Sequence, residues 1–190
     1  MPDRLTKIVT RGGDAGETSL GDGSRRPKSD RRVSLLGDVD ELNSWIGVAR
    51  AHEPLAEVET VLEAVQHDLF DLGGALCFPG ATLLTEAHVA RLDEAVETLN
   101  EGLSPLKEFI LPGGGRTVAW LHVARTVCRR VERNAATFFD SGEETEETTR
   151  CAAAYLNRLS DYLFVAARAE ARRTGAREVY WEKSKSVGGA

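Results

Sequence analysis

Apolar residues recur at helical spacing in five stretches of this chain, and residues that start or stop helices bound most of them. Asp38 stands as an N-cap with Glu41 three residues on, and Val39, Leu42, Trp45, Ile46 and Ala49 follow, which predicts the start of a first helix at Asp38. Val58, Val61, Leu62, Val65, Leu69 and Leu72 make a second stripe, expected to end at Gly73-Gly74 ahead of the break at Pro79-Gly80. Thr85 caps a third stripe through Val89, Leu92, Val96 and Leu99, which closes near Asn100 and Gly102. The run Phe109-Ile-Leu-Pro-Gly-Gly-Gly115 is too glycine-rich for a helix and reads as loop. Val118, Leu121, Ala124, Cys128, Val131, Ala135 and Phe138 form the fourth stripe. The acidic run Glu143-Glu144-Thr-Glu146-Glu147 suits the N-terminus of a fifth helix through Leu156, Leu159, Leu163 and Ala166. With one short strand expected at Glu178–Trp181, too little for a sheet fold, the pattern predicts an all-α bundle.

Composition narrows the function classes. The 190 residues, 42% of them hydrophobic, suffice for one domain spanning 1–190 with a real core. A net charge of −6 argues against a general nucleic-acid binder, since phosphate backbones demand a basic surface and the arginines here sit in local clusters. No apolar run approaches the ~20 residues of a membrane span. Cys77, Cys128 and Cys151 are odd in number, with no CxxC pair and no leader pattern, so a reducing cytoplasm is expected.

Ahead of the helices, residues 10–25 pack five glycines and two arginines among hydroxyl side chains. Glycine brings backbone N–H groups close to an anion, hydroxyls add donors and arginine neutralises charge, which suits a polyphosphate cradle; a flexible surface loop is the ordinary alternative. The segment lacks the GxxxxGK[ST] spacing of a Walker A loop. On the fourth helix Arg125, Arg129 and Glu132 share one face, either to grip phosphate or carboxylate oxygens or as a solvated, salt-bridged surface. Asn157 and Asp161 lie one turn apart on the fifth helix, with ligand binding and an internal hydrogen-bond network both open. Phe109 serves either a site or, as a lone aromatic, the core; Lys28 and Asp40 equally suit solvent and a helix dipole. His122 fits a packed histidine, no ExxH spacing suggests a protein-held metal, and Trp45, Trp120 and Trp181 read as packing or interface residues.

Four blocks in fixed order make the chain resemble the PduO-type ATP:corrinoid adenosyltransferases over nearly its whole length. They are Thr10-Arg-Gly-Gly-Asp with Thr18-Ser19 and Lys28; Gly37-Asp-Val-Asp-Glu-Leu-Asn43; Phe109-Ile-Leu-Pro-Gly-Gly114 leading into Leu121–Arg133; and Tyr155-Leu-Asn-Arg-Leu-Ser-Asp161. Departures are Gly12 in place of threonine, Glu17 in place of a small or hydroxyl residue, and Val131 in place of alanine. The resemblance implies a five-helix bundle in a ferritin-like up-and-down arrangement, assembled as a homotrimer. An ATP-binding segment would span 10–33, the bundle 38–175 and a tail 176–190. It implies transfer of the 5′-deoxyadenosyl group of ATP to the cobalt of cob(I)alamin, with triphosphate leaving, at a subunit interface. ATP contacts map onto Thr10, Arg11, Gly12, Gly13, Thr18, Ser19 and Lys28, and, from the neighbouring subunit, onto Arg129, Arg130, Val131, Glu132, Arg133 and Asn157. Mg²⁺ would be held mainly by ATP phosphates, Asp40 and Arg125 would pair between subunits, and Phe109 would pack beside the corrin ring. A reductase and an adenosylcobalamin-dependent enzyme would be transient partners. Two further classes fit the same residues: another ATP-using transferase such as a small helical kinase, and a non-enzymatic carrier of corrinoid or nucleotide.

Overall fold

The computed structural model describes residues 9–81 and 84–187. Five α-helices carry it: α1 (Arg31–Arg50), α2 (Ala56–Cys77), α3 (Glu86–Glu101), α4 (Arg116–Phe139) and α5 (Glu146–Thr174). An antiparallel hairpin of β1 (Glu17–Ser19) and β2 (Arg25–Pro27) precedes them, with Thr18 opposite Arg26. Helix α4 lies between α1 and α5, α2 packs on α1, and α3 packs on α5. The apolar stripes meet in one core around Leu42, Ile46, Leu62, Leu121, Leu156 and Leu163. Trp45 and Trp120 stack at 5.5 Å across the α1–α4 seam, which gives both a packing role.

Three boundaries differ from expectation, each for a local reason. Helix α1 begins at Arg31, not after Asp38, because Asp30 caps it by accepting the Arg32 backbone N–H at 2.8 Å. Two arginines at its start hid that turn, yet Arg32 is buried, ion-paired with Glu144, bonded to the Leu76 carbonyl at 3.1 Å and set 4.9 Å from the Phe138 ring centre. Helix α2 runs through Gly73-Gly74 to Cys77: buried Leu72, Ala75 and Leu76 on either side hold the turn against a helix penalty of about 1 kcal/mol per glycine. Of the acidic run, only Glu146 and Glu147 serve the first turn of α5, capped by Thr145; Glu143 and Glu144 turn back to Arg32.

Strand content also departs from the pattern. The expected strand at Glu178–Trp181 is a single antiparallel bridge, Ile110 to Tyr180, and the described strands lie in the glycine-rich segment instead. Unpredicted too is a buried brace in which Tyr155 Oη donates to Asp68 at 2.6 Å while Arg91 pairs with the same carboxylate, joining α5, α2 and α3. Burial first, then the Asp68 charge, pushes the Tyr155 phenol well above its ordinary range, so it stays a donor. No helix among the described residues is long and apolar enough to cross a membrane.

Candidate functional site

The glycine-rich segment is anchored at one end of the bundle. Gly21 N–H donates to the Cys77 carbonyl at 2.9 Å, Leu20 is buried, and a Cβ on Gly21 would meet the Phe78 ring at 2.4 Å, so a larger residue there must displace that ring. From that anchor the hairpin presents Thr18 and Ser19, with Arg25 holding the preceding loop: its Nη2 donates to the Gly12 carbonyl at 2.9 Å and its Nη1 to Ser19 Oγ at 3.2 Å. Glu17 pairs with Arg25 at 3.4 Å. Arg11 takes a left-handed φ of 59°, turning the loop beside exposed Thr10. The Lys28 ammonium lies against the Gly13 backbone, where a Cβ would come within 3.2 Å of Nζ. Thr10, Arg11, Gly12 and Gly13 thus lie in one loop, with Lys28 set against it from the end of β2, and its backbone can approach an anion.

A second set lies on α4 and α5. Asn157 Nδ2 donates to Glu132 Oε1 at 3.0 Å, and Glu132 lies 3.9 Å from Arg129, joining three of the expected residues on one face. Arg133 donates back to the Arg129 carbonyl at 2.9 Å. Arg125, half-buried one turn before Arg129, lies 6.0 Å from the Phe164 ring centre. Burial first and the Arg129 charge second lower the Arg125 pKa. Two members of the expected segment point elsewhere: Arg130 pairs with Glu41 on α1, and Val131 is fully buried in the core. Asp161 pairs with Arg158 at 3.1 Å.

The third element is an apolar ledge. Trp181 N–H donates to the Phe109 carbonyl at 2.7 Å and Leu111 N–H to the Val179 carbonyl at 2.8 Å, so the loop before α4 and the tail pair edge to edge. Phe109 is 78% exposed, which rules out the core-anchor alternative. Leu111, Val179, Tyr180 and Trp181 beside it are also exposed. The aromatic tail residues escaped the sequence reading as site material because their pairing with Phe109 is long-range.

On α4, His122 is 4% exposed, and its Nδ1 accepts from Arg125 Nε at 3.4 Å. Burial first, then Arg125, pushes its pKa down from the ordinary 6.5 to about 4, with Glu178 pulling weakly the other way. The folded chain therefore holds His122 neutral where the unfolded chain already binds a proton. Stability should fall as pH drops through 6.5 toward 4, by about 2 kcal/mol between pH 7 and pH 5 from this group. Urea unfolding of wild type and His122→Gln at both pH values checks this, the variant losing less.

Among the described residues no hydrogen bond, ion pair or ring contact joins the 10–28 segment to Arg125, Arg129, Glu132, Arg133 or Asn157 within one chain. Asp40, exposed on α1, lines a groove of about 530 Å³ with Leu36, Phe70 and Asp71, and its carboxylate makes no contact with Arg125, whose partners are His122 and Phe164.

By architecture this is an α-helical bundle protein with an appended N-terminal hairpin. It belongs to the cobalamin adenosyltransferase family, whose sequence profile matches residues 8–170. A cobalamin adenosyltransferase of Cupriavidus metallidurans is 50% identical over 97% of this chain and 99% of its own length. A corrinoid adenosyltransferase of Bacillus subtilis is 40% identical over 95% of each chain. A PduO-type ATP:corrinoid adenosyltransferase from Lactobacillus reuteri has been solved as a phenylalanine-to-alanine variant with cobalamin and ATP; it matches with a TM-score of 0.83 at 32% identity, covering 93% of this chain and 100% of that one. An arginine-to-lysine variant of it, complexed with ATP, matches with a TM-score of 0.82 at 33% identity over 92% and 100%.

Proposed function

We propose that this chain is an ATP:corrinoid adenosyltransferase acting as a homotrimer, each active site formed by the hairpin segment of one subunit and the α4–α5 face and Phe109 ledge of its neighbour. The absence of any hydrogen bond, ion pair or ring contact between the two basic sets within one chain, among the described residues, supports the proposal, since a neighbouring copy can supply the second set. The phenylalanine and arginine altered in the Lactobacillus reuteri structures are separated along their chain as Phe109 and Arg129 are here, which supports giving these two the corrin and nucleotide roles.

Cobalt of the Co(I) corrinoid is the nucleophile, so the reaction needs no catalytic histidine or cysteine. A Co–C bond forms at the 5′-carbon as the C–O bond to the α-phosphate breaks, and triphosphate departs with the electron pair. The protein's part is to hold that carbon in line and to stabilise charge growing on the leaving group. Lys28, Arg129 and the backbone N–H groups of residues 11–13 meet that charge; Mg²⁺, held mainly through ATP, would add to its neutralisation. Asn157 fixes Glu132, which in turn steadies Arg129. Asp40 of one subunit pairs with Arg125 of the next, balancing the crowded arginines. Phe109 and its ledge keep water and an axial ligand from the cobalt, which eases reduction to Co(I) and protects the reduced metal.

Incubating the protein with ATP, Mg²⁺ and chemically reduced corrinoid tests the proposal in a single turnover. The expected result is the light-sensitive adenosyl–cobalt spectrum with one triphosphate per product. Release of ADP would mark a kinase, and bound substrates without product a carrier.

A further inference from the structure

We infer that Arg168 is a positioning residue for the corrin site: its guanidinium clamps both strands of the Phe109 ledge to α5. This rests on the corrin role given to Phe109 above. Arg168 is only 7% exposed, and its fork is divided between the two segments. Nε donates to Glu178 Oε1 at 2.9 Å, on the tail residue just before Val179–Trp181. Nη2 donates to the Ser104 carbonyl at 2.8 Å, on the loop leading to Phe109. Further along, among the described residues, backbone bonds from Leu111 to Val179 and from Trp181 to Phe109 join the two segments to each other. Gly114 adds a close pass, where a Cβ would sit 3.6 Å from Ala176 Cβ.

The ledge is otherwise poorly supported. Phe109, Leu111, Tyr180 and Trp181 are all exposed, so core packing cannot fix where the phenyl ring stands. Arg168 connects it to a helix whose neighbouring residues Val165, Ala166, Ala167 and Ala169 are buried, and so transmits the rigidity of the bundle. A planar fork suits this because one cation must serve a carboxylate and a carbonyl on different segments; an ammonium at the same place has no fixed angle between donors. A ledge that drifts admits water or an axial ligand to the cobalt, so the clamp acts on the reducibility of Co(II) and leaves ATP binding to the hairpin and the arginine face.

Arg168→Met, Arg168→Lys and Glu178→Gln test this in the full-length protein by two independent measurements. In hydrogen exchange, the Leu111 and Trp181 amides should exchange about tenfold faster in Arg168→Met, with α4 and α5 amides unchanged. In the spectrum of Co(II) corrinoid with ATP bound, the four-coordinate fraction should fall about fivefold or more, while KM for ATP stays within about twofold. Arg168→Lys should fail to rescue, and Glu178→Gln, which keeps the hydrogen bond without the charge, should fall between. Wild-type exchange at both amides in a folded Arg168→Met, or an unchanged four-coordinate fraction, overturns the clamp. Glu178→Gln keeps the question decidable if Arg168→Met does not fold, since a wild-type spectrum and exchange there would also overturn it. A wild-type protein that adenosylates no corrinoid removes the function and the clamp's role together, and is told apart because exchange still responds to Arg168.

Discussion

Arg129→Ala should lower turnover by about 10²-fold to 10³-fold, the loss seen when one pre-placed donor to a developing negative charge is removed. The side chain is exposed and its pairing with Glu132 spans 3.9 Å, so the substitution costs the fold little. Its effect belongs to the transition state, where triphosphate gains charge, and kcat should fall more than KM for ATP rises. Lys28→Ala should behave similarly from the other half of the site. Co-expressing the two defective chains then tests the shared site directly. In a closed ring with head-to-tail contacts, random mixing leaves about a quarter of the sites with an intact hairpin facing an intact α4 face. Purified mixtures should recover activity near that fraction, although neither parent has it. No recovery, despite demonstrated exchange of subunits, would place both halves in one chain and remove the interfacial proposal.

The same division of residues explains what was legible in the sequence. Helical periodicity exposed all five helices because each buries one stripe in a single core, and the end of α3 and the cap at Thr85 carried local signals that the fold obeys. The start of α1 is hidden although its cap, Asp30, is local, because the first turn carries Arg31 and Arg32, and Arg32 is buried only by pairing with Glu144 more than a hundred residues away. Gly73-Gly74 misled for the converse reason: the local stop signal is real, and buried neighbours override it. Within the site, Arg125, Arg129 and Glu132 share a face as their spacing requires. Arg130 and Val131 do not join it, since a contiguous segment on a helix necessarily points in several directions. The hairpin pairing and the ledge were invisible because both depend on contacts that turn or tail residues make only after folding.

Phe109→Ala should separate the corrin chemistry from nucleotide binding. Because the ring is 78% exposed and its backbone carbonyl accepts from Trp181 N–H, truncation leaves no cavity, and stability should stay within about 0.5 kcal/mol of wild type. ATP affinity should likewise persist, since the polyphosphate contacts proposed above lie on the hairpin and on α4. What is lost is apolar volume beside the cobalt. With a methyl in place of a phenyl, water or an axial ligand can reach the metal, donate density to it and make Co(II) harder to reduce. The four-coordinate Co(II) signal should therefore drop about tenfold or more, with turnover from Co(II) and a reductant falling in step. Turnover from corrinoid already reduced to Co(I) should suffer less, because the step that the ring assists has been bypassed. Equal losses from both starting states would mean that Phe109 positions the corrin for attack instead of tuning its reduction. A marked loss of ATP binding in Phe109→Ala would contradict the division between the corrin ledge and the nucleotide contacts.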